Sequence, residues 1–106
     1  MPLPLIAILL SAAAVFAIIT ISVLYWNNIV KWFESWNNNP NNLAETDRDD
    51  VGFTIIDKIK KGEYKTVQGV FNKRTNKVKD GRVVKSEKID EHLSKTHGSE
   101  DLVIYE

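Results

Sequence analysis

The chain has 106 residues, 14 basic and 14 acidic side chains, no cysteine and a formal charge of zero. That length holds one small domain and excludes the large enzyme folds. The missing thiols exclude disulfide frameworks, Cys-based zinc sites, iron–sulfur clusters and cysteine nucleophiles. The neutral balance hides a partition: no charged side chain from Met1 to Val30, a net of −5 from Glu34 to Asp57, +8 from Lys58 to Lys88, and −4 from Asp90 to Glu106.

Leu3 to Trp26 is an uncharged run of 24 residues, with thirteen Leu, Ile, Val and Phe side chains between Leu3 and Leu24. As a helix rising about 1.5 Å per residue it covers roughly 36 Å, enough for a hydrocarbon core of about 30 Å. The sequence thus predicts a transmembrane helix over residues 1–27 and a single-pass membrane protein. A cleaved signal peptide competes with this reading, because Ser11-Ala12-Ala13-Ala14 resembles a cleavage region. Against it, no Lys or Arg precedes the apolar run, and the sequence stays apolar after Ala14. Lys31 and the Lys-rich tail favour a cytoplasmic C-terminus, N-out and C-in. On a helical wheel Ala7, Ser11, Ala14, Ile18 and Ser22 form a small-residue face suited to helix packing.

Tyr25, Trp26, Trp32, Phe33 and Trp36 read as an interfacial anchor, the aromatic belt at the headgroup level. Ile29, Trp32, Phe33 and Trp36 recur at helical spacing, which predicts an amphipathic juxtamembrane helix over 28–37. The asparagines around Pro40 and the acids up to Asp50 read as a flexible linker over 38–50.

Residues 51–106 read as a small α+β soluble domain. Val51 to Lys61 has apolar residues at helical spacing and many β-branched ones, and a short helix is favoured over a strand. Tyr64 to Asn72 and Lys77 to Lys85 read as strands; Asp80-Gly81 either interrupts the second or turns a tight hairpin. Ser86 reads as the N-cap of a helix that Gly98 ends, and Leu102 to Tyr105 as a last strand. The expected fold class is a single-pass transmembrane α-helix plus a small α+β soluble domain in ββαβ order. Its core, Val67, Val70, Phe71, Val78, Val83, Val84, Ile89, Leu93, Leu102 and Ile104, lies at the lower limit for unaided folding. A neighbouring subunit, self-association or the membrane surface would stabilise it.

His92 and His97 lie about 140° apart on a helix, unlike a helical metal pair, and read as exposed polar residues. No phosphate loop, matched nucleophile and base, or apolar carboxylate pair is present. No catalytic residue, metal or cofactor is therefore expected, and the chain does not read as an enzyme. Lys58, Lys60, Lys61, Lys65, Lys73, Arg74, Lys77, Lys79, Arg82, Lys85 and Lys88 make a basic patch suited to anionic lipid, an acidic protein partner or nucleic acid, or else a solvated face. Nucleic acid has least support, since stacking aromatics are largely missing there.

The expected function is an accessory or regulatory subunit of a larger membrane protein complex, acting through helix packing and a small cytoplasmic domain. The alternative is a membrane-tethered binding module whose basic tail recruits a soluble acidic partner or anionic lipid. The expected partners are the lipid bilayer and other membrane subunits or a second copy of the chain.

Overall fold

The computed structural model describes residues 5–39, 48–60 and 62–105, without the side chains of residues 59 and 60. The run expected to cross a membrane is not one helix. Leu5–Ala12 forms helix α1, Ala13–Val15 a single 3-10 turn, and Ala17–Leu24 strand β1. Leu5-Ile6-Ala7-Ile8-Leu9-Leu10 is rich in helix formers, whereas Ile18, Ile19, Thr20, Ile21 and Val23 are β-branched, restricted at χ1 and well fitted to a pleated surface. Eight helical residues rise only about 12 Å. Among the described residues no helix is long and apolar enough to cross a membrane. This overturns the single-pass anchor and the membrane localisation and topology inferred from it.

Helix α2 (Trp26–Asn38) follows, and then strands β2 (Asp50–Lys60), β3 (Glu63–Asn72) and β4 (Lys77–Ile89), helix α3 (Glu91–His97) and strand β5 (Leu102–Tyr105). The protein is an α+β fold around a five-stranded sheet of order β1-β4-β3-β2-β5. β1 runs parallel to β4, from Ala17 opposite Arg82 to Leu24 opposite Ile89, and the other neighbours are antiparallel. The expected ββαβ unit is thus widened by β2, where a short helix was favoured, and by β1. β2 is a strand because Val51, Phe53 and Ile55 alternate toward one buried face.

The helices lie on both faces. On one, Leu9 and Ala13 pack against Val51, Phe53, Ile55, Val67, Phe71 and Val83. On the other, Ile29 of α2 and Leu93 of α3 pack with Leu24 and Val84, flanked by Trp26, Phe33 and Ile56. Much of the core therefore comes from residues N-terminal to Val51. Of the residues expected to fill it, Ile104 is 41% exposed.

Two glycines permit close aromatic contact with the sheet. A Cβ on Gly81 would collide with the Phe16 ring, and one on Gly52 would lie 2.6 Å from the Phe33 ring. Gly81 is therefore neither a break nor a hairpin turn: it sits inside β4 opposite Gly69. The β3–β4 reversal falls at Asn72 to Asn76, where Asn72 Oδ1 accepts from the backbone N–H of Arg74 and Thr75, and Asn76 takes φ 59°. Ser86 lies in β4 and is not a helix cap. The N-cap of α3 is Asp90, whose Oδ1 accepts from Leu93 N–H at 2.8 Å while Oδ2 accepts from Trp26 N–H at 2.8 Å. One carboxylate thus serves the first turns of α2 and α3 together.

Candidate functional site

The residues read as a helix-packing face do not share a helix. Ala7 and Ser11 lie on α1, Ala14 in the 3-10 turn, and Ile18 and Ser22 on β1. Of the aromatic group, Phe33 packs toward the sheet, Trp36 is buried, Trp26 stacks on His92 at 4.5 Å between ring centroids, and Trp32 meets Phe33 edge-on. The apolar stripe of α2 is thus largely occupied by the molecule itself, and Tyr25 alone of the five is largely exposed, at 54%. Residues 40–47, most of the expected linker, lie outside the described residues.

The basic residues do not gather into one surface. Lys65 and Lys85 face each other across β3 and β4, Lys58 lies over the Tyr64 ring, Lys73 and Arg74 belong to the β3–β4 reversal, and Lys77 opens β4. Lys88 lies near the end of β4, Lys60 ends β2, and Lys61 lies outside the described residues. Arg74 pairs with Asp49 at 3.1 Å and Lys79 with Asp50 at 2.8 Å. Arg82 turns under α2: its Nε donates to Gln68 Oε1 at 2.9 Å, a terminal nitrogen donates to Asn28 O at 3.1 Å, and its guanidinium lies 5.9 Å from the Trp32 ring. Gln68 Nε2 in turn donates to Ile29 O at 2.9 Å. Burial pushes the Arg82 pKa down, and these acceptors meet the cost of holding its charge there.

A second polar group lies where α3, β2 and β5 meet. Thr54 Oγ1 is 2.7 Å from His97 Nε2 and 2.6 Å from the Tyr105 hydroxyl, and His97 Nδ1 is 3.0 Å from Glu100 O. The Glu100 carbonyl only accepts, so Nδ1 carries the proton and the neutral ring receives the Thr54 hydroxyl at Nε2. Thr54 in turn accepts from Tyr105. A hydroxyl beside a histidine resembles an activated nucleophile, but Thr54 is fully buried and out of reach of a substrate. The relay therefore ties the β5 edge to α3. Burial lowers the His97 pKa, against the hydrogen bond to Glu100 and the charge of Asp101; burial likewise raises that of Tyr105. His92, stacked on Trp26, takes no part, and among the described residues no group of three His, Cys, Asp or Glu could hold a metal ion.

The accessible feature is β1. It forms one end of the sheet, and among the described residues its outer backbone edge pairs with no strand. Its eight residues, Ala-Ile-Ile-Thr-Ile-Ser-Val-Leu, carry no charge; Ile18 is 59% exposed and Ile19 39%, with Val15 beside them at 87%. An open cavity of about 400 Å³ runs inward from Thr20 and Ser22 to Lys85 and Glu87 of β4 and Glu63 of β3. Edge strands are ordinarily guarded by Lys, Pro, a bulge or shortness. β1 has none of these protections. The run of β-branched residues from Ile18 to Val23 was the signal for it, masked by its apolar length.

Comparisons with family models, with curated proteins and with solved structures yield no match.

Proposed function

We propose that this chain is a non-catalytic protein-interaction module, an accessory or regulatory subunit that joins a larger assembly by extending its sheet through β1. The observation that carries the reading is the long, uncharged edge of β1, unpaired among the described residues, with Ile18 and Ile19 exposed. A strand laid against it gains main-chain hydrogen bonds for affinity and alternate side-chain contacts for specificity. Recruitment of an acidic partner or anionic lipid has less support, because Arg74, Lys79 and Arg82 are engaged within the molecule and the remaining bases are scattered.

The test compares the intact chain with the double variant Ile18→Lys, Ile19→Lys, each purified gently from its native cellular background. A component, whether a different chain or a differently tagged copy of this one, retained by the wild type and lost by a variant with unchanged near-ultraviolet circular dichroism supports the reading. Equal retention by both overturns it.

A further inference from the structure

We infer that the strand β1 receives is β1 of a second copy of this chain, antiparallel and centred on Ile21. This rests on the reading of β1 as the docking edge and names its occupant.

The argument is the symmetry of the strand. An antiparallel pair of identical strands about a twofold axis matches each residue with the one equally far from the centre, and both lie on the same face of the joined sheet. About Ile21, Thr20 faces Ser22 of the partner strand, Ile19 faces Val23, and Ile18 faces Leu24. Hydroxyl meets hydroxyl and apolar meets apolar at every position. Slipping the pairing by one residue puts the centre between two residues and moves facing residues onto opposite sides of the sheet, which the pleat forbids. Centring on Thr20 sets Ile18 against Ser22, and centring on Ser22 sets Thr20 against Leu24, so that a hydroxyl meets an apolar side chain. Centring on Ile19 instead sets Ile18 against Thr20 and Ala17 against Ile21, losing the match. Cross-strand β-branched and Thr/Ser pairs are among the stabilising ones.

Charge is compatible with the same occupant. Self-pairing sets a charge near the twofold axis beside its own copy, and β1 carries no charge. The nearest charged groups on the sheet, Arg82, Lys85, Glu87 and Lys88, stand on β4 behind β1. Three strand spacings, roughly 14 Å, then separate them from their copies, beyond a Debye length of about 8 Å at physiological salt. The pairing covers Ile18 and Ile19 and joins the two five-stranded sheets into one, with the cavities beside Thr20 and Ser22 abutting across the axis.

The absence of cysteine makes the test direct, since any disulfide from a single introduced thiol is intermolecular. Sedimentation should give twice 12.1 kDa for the full chain. Under mild oxidation Ile21→Cys should form a covalent dimer. Thr20→Cys and Ser22→Cys should each stay uncoupled alone and couple when mixed, because directly opposed Cβ atoms lie about 4.5–5.5 Å apart and diagonal ones are out of disulfide reach. A dimer in which neither Ile21→Cys nor the Thr20/Ser22 mixture couples overturns the inference. So does a 12.1 kDa monomer across the micromolar range; a partner still lost on Ile18→Lys, Ile19→Lys would then leave the broader reading standing.

Discussion

At the scale of single residues, His97 links proton concentration to stability. Its ring is buried, and its neutral form alone leaves Nε2 free to accept the Thr54 hydroxyl. Burial sets its folded pKa below the ordinary 6.5, so the unfolded chain binds the proton more readily. The contribution is fully present above pH 6.5 and is lost as pH falls below that value and through the lowered folded one. Denaturant unfolding at pH 7.5 and pH 5 should show the wild type losing stability on acidification. In His97→Gln the loss should be smaller; an equal loss would show that His97 does not carry it. Protonation also places a hydrogen between Nε2 and Thr54 Oγ1, reversing the donor order there and leaving the Thr54 hydroxyl hydrogen to find another acceptor.

Among the elements, α2 and α3 stand or fall with Asp90. Each has free N–H groups in its first turn, and the two oxygens of one carboxylate take one from each, at 2.8 Å. An N-cap lost to alanine costs about 0.5–2 kcal/mol, and here two contacts go at once. Asp90→Ala should therefore destabilise the protein by about 1–3 kcal/mol, measured by chemical denaturation, with Asp90→Asn losing less. The prediction fails if Asp90→Ala unfolds like the wild type. Local signals of this kind were readable in the chain: alternation in β3, the reversal at Lys73 to Asn76, and the stop at Gly98. The N-cap was misplaced at Ser86 because β4 runs four residues further than its composition suggests, held by parallel pairing with β1 that no local window contains.

For the whole molecule, the division at Val51 does not describe a self-sufficient unit. Leu9, Ala13, Leu24 and Ile29 are core residues, and β4 loses one of its two neighbours without β1. A fragment of residues 51–106 should show no cooperative thermal transition, whereas the full chain should; cooperative unfolding of the fragment would contradict this. Hydropathy alone could not expose the arrangement. Leu3 to Trp26 satisfies every compositional demand of a membrane helix, and only its β-branched half argued for a strand. The apolar stripe of α2 was visible from its spacing, but what it lies on was not, because Phe33 meets Gly52 and Ile29 meets Gln68 across long stretches of sequence. The inward turn of Arg82 was hidden for the same reason, and the near-palindrome around Ile21 acquires meaning only once the segment is known to be a strand.

The parallel pairing of β1 with β4 also sets a clock on synthesis. Ala17 and its partner Arg82 are 65 positions apart, and a ribosome adding about 5–20 residues per second needs roughly 3–13 seconds to deliver the second after the first. Throughout that interval the apolar strand has emerged without the neighbour that pairs its inner edge. Nascent chains on one message would present the same self-matching segment to each other, so capture by a chaperone or by a sibling chain competes with intramolecular folding from the moment β1 leaves the exit tunnel.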